Sequence, residues 1–350
     1  MSPNYPFNCW YVAALSEEVG DGLFARKLLG KYVVLYRRES GELVAMEDRC
    51  AHRPHPLSTG RRKGDRIVCA YHGFEYDPDG RLVHVPSQDH VPPGAYVRTY
   101  PVRESFPFIW VWLGEPGIAG LRPPPNPAWV AHSESEGWTE SVDATHVEAN
   151  FLLLHEHYLD LTNVFFMHPE MVPPDITSLP PLDEVEVSER SVGYSRLTIP
   201  TRPAQWEVEA TGVATDSVGR RLEQGIFVSP ALHVQRYVID PDGERYTLQR
   251  VHAFTPEAPG STHVFVRIAR DYARDDADVT AHLRAVFGEM TKRDAAAVET
   301  IQARIDEETE PRRNVNVKAD RAALRARRIT HDMVDEESGY VLRTVLANAR

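Results

Sequence analysis

Short runs of apolar and β-branched residues, each cut off by a turn pair, dominate the first third of the chain. Trp10–Ala14, Phe24–Leu28, Tyr32–Tyr36 and Leu43–Glu47 are such runs, separated by pairs such as Gly30-Lys31 and Ser40-Gly41. Their length and composition predict strands. Ile67–Ala70, Phe74–Tyr76 and Phe108–Leu113 extend the pattern, and Asp77-Pro78-Asp79-Gly80 has the residues of a hairpin turn. From Gly114 to Pro127 proline and glycine take over, ending in Pro123-Pro124-Pro125-Asn126-Pro127. A proline-stiffened connector of this kind marks a domain boundary, which gives an all-β domain over 1–118 and a second domain over 119–350.

In the second domain the period changes. Asn150–Phe166 has helical spacing, with Leu154, Tyr158, Leu161 and Phe165 on one stripe. A meander of strands follows: Glu184–Glu189, Gly193–Thr198, Trp206–Thr215, Leu222–Val228, Leu232–Ile239, Tyr246–Thr255 and His263–Ala269, with a second hairpin turn at Asp240–Gly243. A long helix is predicted from about Asp276 to Asp306, with Asp275, Asp276 and Asp278 where the helix dipole favours negative charge. Its apolar stripe, Val279, Leu283, Val286, Met290, Ala297, Ile301 and Ile305, is interrupted by Asp294. The charged tail after Glu310 suggests no element. The fold class is α+β, an all-β domain followed by an antiparallel-sheet domain with flanking helices.

At 350 residues the chain has room for two domains, and its 42% hydrophobic content suffices for a core in each. A net charge of −12 argues against nucleic acid or an anionic membrane as partner. Three cysteines make no disulfide framework, and Cys9 in the strand-like Asn8–Val12 reads as a small buried hydrophobe. No apolar run reaches the length of a membrane span. The N-terminal residues Met1–Phe7 lack the basic region and apolar stretch of a signal peptide. A soluble cytoplasmic protein is expected.

The other two cysteines carry the chemistry. Cys50-Ala51-His52 and Cys69-Ala70-Tyr71-His72 are two short Cys/His pairs separated by a loop, with Gly73 suited to a tight turn after the second. Two thiolates on one iron and two imidazoles on the other are the ligands of a Rieske [2Fe–2S] cluster. Tetrahedral zinc accepts the same donor set. However, a zinc finger carries its His pair on a helix, whereas these pairs lie on turns between strand-like segments.

A cluster only moves electrons, so a second centre is sought. Asn150–Pro169 packs His155, His157 and His168 with Glu156 and Asp160 among apolar residues, and His157, Asp160 and Asn163 fall three apart. Asp294 in a buried stripe is costly unless paired or bound to a metal. Two His and one carboxylate form the facial triad of non-haem Fe(II) oxygenases.

With these residues in view the chain resembles the Rieske non-haem iron oxygenases, oxygenase component, in the group of dicamba monooxygenase, vanillate O-demethylase and toluenesulfonate methyl-monooxygenase. The likeness runs through Asn8–Ala14, both cluster pairs, Asn150–Pro169, His252–Glu257 with Thr262-His263, and Asp294–Gln302. It implies a Rieske domain joined to a helix-grip-like catalytic domain. The family helix carries Asn-x2-Asp-x2-His-x4-His and a later Asp completes the triad, which corresponds here to Asp160, His168 and Asp294. The first His does not match: Asn163 stands where the family has a ligand His, and His157 stands where it has an Asn. The two types have changed places. Three readings stay open: His157 serves as ligand beside His168 and Asp294, the Asn163 amide oxygen is a weak ligand, or iron is not held.

The resemblance further implies that Asp160 bridges an iron-bound His to a cluster His, here His72, of a neighbouring subunit in a homotrimer. A reductase, alone or through a ferredoxin, would supply electrons. O2 and a small, usually aromatic, substrate would meet at a mononuclear Fe(II) for hydroxylation or O- or N-demethylation. Asn150, Phe165, Phe227 and His252 are candidates for substrate contact, and Pro169–Pro181 for the rim of the entrance. The alternative is an oxygenase-like subunit with a defective iron site, acting in electron transfer or in support of an active homologue.

Overall fold

The computed structural model describes residues 5–105, 107–125, 137–178, 184–241, 243–310, 312 and 314–348, with 340–348 as backbone alone. Residues 1–4 of the N-terminal stretch, the Asn126-Pro127 end of the connector, Pro180-Pro181, Asp242 of the second hairpin turn and Pro311 and Arg313 of the tail lie outside the described residues. The chain divides into two compact units. One is Pro6–Pro124 with Thr255–Ala258, and the other holds Pro125–Phe254 and Pro259–Arg350.

Apart from one helical turn, α1 (Pro116–Ala119), and short 3-10 turns, the first unit is built of short strands. β1 (Trp10–Leu15) pairs with β11 (Phe108–Trp112), which pairs with β10 (Val102–Ser105). A second sheet runs β2 (Phe24–Leu28), β3 (Lys31–Arg37), β4 (Leu43–Glu47), β9 (Thr99–Tyr100). A third runs β5 (Arg61–Lys63), β6 (Arg66–Val68), β7 (Glu75–Tyr76), β8 (Leu82–His84). The turn at Asp77–Gly80 forms as expected. Gly80 adopts φ +80°, and a Cβ there would come within 2.0 Å of the Val97 carbonyl oxygen, so only glycine fits. The side chains of Val34, Tyr36, Met46, Leu57, Ile67 and Tyr76 pack with Cys50 and Cys69 into one core, which fixes both cysteines from behind.

The second unit is a seven-stranded antiparallel sheet in the order β12, β18, β17, β16, β15, β14, β13. Its strands are β12 (Thr139–Val147), β13 (Glu184–Val187), β14 (Val192–Leu197), β15 (Gly219–Ser229), β16 (Leu232–Pro241), β17 (Tyr246–Ala258) and β18 (Ser261–Arg270). The helices are α2 (Phe151–Leu159), α3 (Val164–Met167), α4 (Gln205–Thr211), α5 (Ala277–Glu307) and α6 (Arg321–Asn348).

Four expectations are corrected. Trp206–Thr215 is not a strand. The Glu207 carboxylate accepts the Ala204 amide at 2.8 Å, and Gly212, at φ +74°, closes the last turn onto Val208, so α4 is capped at both ends. Asn150–Phe166 is not one helix. Asp160 is extended, and its carboxylate accepts the Thr162 amide and hydroxyl at 2.9 and 2.7 Å, a local turn that competes with the helix. In α5 the buried face is Leu283, Phe287, Asp294, Val298 and Gln302, while Ile301 and Ile305 are exposed. A period of 3.6 residues through Asp294 selects those positions. The tail, left without an element, forms α6 from Arg321.

Beneath the sheet lies a buried ion pair. Arg221 on β15 donates to Glu207 on α4 at 2.7 and 3.1 Å, and to Thr201 and Gly219, while Tyr237 donates to the same carboxylate at 2.7 Å. Arg221→Met leaves Glu207 buried without its charge partner and is expected to cost about 3–5 kcal/mol. The double variant with Glu207→Gln should cost less than that single one. Urea denaturation of both decides, and a double variant less stable than Arg221→Met would contradict the pairing.

Candidate metal centres and the adjoining cavity

The two Cys/His pairs occupy the loops after β4 and β6. Cys50 donates its amide to His55 O and Cys69 to Phe74 O, both at 2.9 Å, so each loop folds back on itself. Gly73 takes φ +71°, and a Cβ there would press Pro86. The sulfurs are buried, whereas His52 and His72 are exposed with ring centroids 4.7 Å apart. His52 stacks on Phe74 at 4.6 Å. The Tyr76 hydroxyl accepts the Ala51 amide at 3.1 Å, leaving its proton for the Cys50 sulfur, also at 3.1 Å. Burial, with Cys50 beside it, pushes the Cys69 thiol up, against the amides of Tyr71 and His72 that bond its sulfur. Two buried sulfurs, one met by two amides and the other by a hydroxyl, with two exposed imidazoles nearby, fit a cluster held half inside the protein.

The second group is assembled from four elements of the other unit. Asn150 caps α2, its Oδ1 accepting the Leu152 amide at 2.9 Å, and the helix carries His157 in its last turn. His168 ends α3, whose last carbonyl, Met167 O, accepts from Arg293 at 2.8 Å. Next to Arg293 on α5, Asp294 receives both imidazoles on one oxygen: His157 Nε2 lies 2.9 Å and His168 Nε2 2.7 Å from Oδ1. The other oxygen accepts the Tyr158 hydroxyl at 3.1 Å. The Asn163 amide nitrogen lies 3.1 Å from each ring nitrogen of His157. His168 and Asp294 are buried, and His157 keeps 11% exposure. Burial pushes the Asp294 carboxyl up, but hydrogen bonds from His157 and His168 outweigh it and hold it below the usual carboxylate range. Two imidazole nitrogens and a carboxylate oxygen, brought from three elements, are the donor types of a non-haem iron site with positions to spare.

Beside this group the sheet and helices form a cavity with an open mouth, the kind of concave site in which small molecules bind. Phe165, Val172, Ile176, Trp206, Leu248 and Phe287 supply apolar wall. Met171 and Pro173 join Val172 and Ile176 there, so part of the predicted entrance loop lines it. Arg196 pairs with Glu223 across the wall at 3.0 Å. Burial pushes the Glu223 carboxyl up, with Arg196 opposing.

His157, His168, Asp294 and Asn163 are thus brought together, and Asp160 stands half-buried at the break between α2 and the next turn. Of the substrate candidates, Phe165 lines the cavity and the other three do not. Asn150 is spent on its cap and on Pro259 O. Phe227 is buried against His155, and His252 is buried against Tyr158, its centroid 4.2 Å away. Burial drives the His252 and His233 imidazoles well below their ordinary pKa, so both are neutral. His155 Nε2 donates to Pro230 O at 2.9 Å, a packed histidine with its pKa lowered by burial to about 4. Tyr158 and Arg250 were not singled out from the sequence. Tyr158 reads there only as an apolar stripe member, and Arg250 is one charge within a long buried strand.

Comparison with known proteins finds a different family in each part of the chain. The Rieske [2Fe-2S] domain family matches residues 9–101, and the vanillate O-demethylase oxygenase C-terminal domain family matches residues 147–336, more than half of the chain. The chloroacetanilide N-alkylformylase oxygenase component of Rhizorhabdus wittichii is 30% identical, over 94% of this chain and 96% of that protein. A toluene-4-sulfonate monooxygenase system iron-sulfur subunit of Comamonas testosteroni is 38% identical over 55% of this chain and 54% of its own length. Dicamba monooxygenase, solved with non-haem iron and dicamba, superposes with a TM-score of 0.78 at 26% identity, covering 95% of this chain and 98% of that one. With a cysteine pair and a histidine pair at the head of one unit and a cavity-flanking His/His/Asp group in the other, this chain belongs to the Rieske non-haem iron oxygenases as an oxygenase component.

Proposed function

We propose that this oxygenase component holds its cluster through Cys50, Cys69, His52 and His72 and a single Fe(II) through His157, His168 and Asp294, and that it monooxygenates a small aromatic compound. The observation that carries the second site is the meeting of both imidazole Nε2 atoms on one buried Asp294 oxygen. When bound, the cluster supplies single electrons and the Fe(II) supplies the place at which O2 is activated. The chain does the rest. Tyr158 holds the second Asp294 oxygen, which turns the first toward the histidines. Arg293 fixes the backbone beside His168. The Asn163 amide lies against the His157 ring, within reach of both its nitrogens, and orients it. The apolar wall positions the substrate and excludes water.

Asp160 is the proposed bridge to the cluster histidine of a neighbouring copy, which requires a homotrimer. A reductase or ferredoxin is the proposed electron donor, in line with relatives named as a monooxygenase system iron-sulfur subunit and as an oxygenase component. The cytoplasm is the proposed compartment; among the described residues no helix is long and apolar enough to cross a membrane. The division into a cluster domain over 1–118 and a catalytic domain over 119–350 remains part of this proposal.

For an aryl methyl ether the balance is ArOCH3 + O2 + 2 e⁻ + 2 H⁺ giving ArOH + HCHO + H2O, through a hemiacetal that releases formaldehyde. The test is a single turnover: protein reduced chemically, freed of reductant, then given O2 with a panel of methoxylated, N-methylated and unsubstituted single-ring aromatics. Formaldehyde or a hydroxylated ring in proportion to chain is the expected result. Cluster reoxidation without product from any panel member would favour the electron-transfer reading.

A further inference from the structure

We infer that the cavity selects substrates carrying an anionic group, a carboxylate or sulfonate, and that Arg250 is the residue that receives it. The inference rests on the catalytic reading above for the identity of the cavity. Arg250 lies on β17 and lines the cavity, yet only 6% of it is exposed. Its Nη1 reaches only Gln235 Oε1 at 3.4 Å and Met290 Sδ at 3.8 Å, both weak partners. Among the described residues its Nε and Nη2 have no hydrogen-bond partner, and Asp294, whose hydrogen bonds go to His157, His168 and Tyr158, acts on it only through space. The guanidinium lies 4.6 Å over the Phe287 ring and 5.9 Å from the Tyr158 ring, so its plane is fixed by aromatic contact.

A buried guanidinium with two donors unbonded is unfavourable, and a ligand that accepts from them would remove that cost. The other charges on the cavity wall do not bond those donors. Arg196, Arg236 and Arg250 face it with Glu223 alone, and Glu223 is held by Arg196. The wall is therefore positive by two charges when Glu223 is ionised, three cations less one anion. Phe287 and Met290 place Arg250 between about one and two turns along α5 from Asp294, and Tyr158 bridges the two, since its hydroxyl bonds Asp294 and its ring faces Arg250. An aromatic ring anchored at Arg250 by its anionic end would present its other end toward the His157, His168 and Asp294 group.

The experiment is titration calorimetry on the intact protein with two matched pairs, 4-methoxybenzoate against 4-methoxybenzamide and benzenesulfonate against benzenesulfonamide. Each pair changes charge with little change in shape. Iron is counted in the same samples, and Arg250→Met and Arg250→Lys are measured beside the wild type. Wild type should bind at least one anion about tenfold or more tighter than its neutral partner, Arg250→Met should lose that preference, and Arg250→Lys should keep part of it. The melting temperature of Arg250→Met should equal or exceed that of wild type, since an unpaired buried charge has been removed. No preference in either pair, no anion binding up to the solubility limit, or a preference retained by Arg250→Met overturns the inference. Anion preference in protein lacking the second iron leaves the inference standing and defeats the catalytic reading. Iron present without anion preference does the reverse.

Discussion

His157→Ala should abolish mononuclear iron, taking the count from about three irons per chain to about two, with acid-labile sulfide unchanged at about two. The expectation follows from donor chemistry. Imidazole is a good ligand for Fe(II) and a carboxamide oxygen a poor one, and His157, not Asn163, has its Nε2 on the Asp294 oxygen that His168 shares. Asn163→Ala should keep iron with an affinity loss of about 10- to 100-fold at most, as for residues that orient a ligand. The two side chains lie 3.1 Å apart, so the pair His157→Asn with Asn163→His restores the family's arrangement within the same small volume and should retain iron. Metal analysis with cluster absorbance as the internal standard reads all three. Iron lost from Asn163→Ala and kept by His157→Ala would make Asn163 the ligand.

Asp160→Asn should leave both metals in place and lower steady-state turnover by about 100-fold or more, with the rate of cluster reduction by the donor unchanged. The substitution isolates charge from structure. Asp160 Oδ1 accepts the Thr162 amide and hydroxyl, and an Asn oxygen can do the same, so the break after α2 survives. Asp160→Ala loses the cap as well and should cost about 1 kcal/mol of stability in addition. Stopped-flow reduction followed by O2-dependent reoxidation with substrate separates the steps. Turnover of Asp160→Asn within a factor of about two of wild type would reduce Asp160 to a capping residue, since a cap alone is worth only about 1 kcal/mol.

The strands of the first unit were legible because each is a compact apolar run closed by a turn pair, and both cluster loops could be placed between them from the spacing of Cys50, His52, Cys69 and His72. Asp294 could be found because a carboxylate in an apolar helical stripe needs a reason, although the stripe itself was read partly through exposed positions such as Ile301. What failed was local competition between side chain and backbone. Asp160 breaks a helix that periodicity alone continues, and the caps at Glu207 and Gly212 turn the alternating Trp206, Val208 and Ala210 into a helix. The cavity was least legible. Its wall draws on three helices, a loop and four strands, so Arg250 acquires meaning only once Phe287 and Tyr158 are beside it. For the same reason Asn150, Phe227 and His252 could be named as substrate contacts although the fold turns them to capping and packing.

The central claim is that the exchanged positions still build an iron site in a chain that also holds the cluster. Iron and acid-labile sulfide, counted per chain in wild-type protein purified anaerobically with iron supplied, test it most directly. About three irons for two sulfides is the predicted result, a two-iron cluster and one further metal. About two irons for two sulfides would contradict it, leaving a cluster alone and a subunit that supports an active homologue.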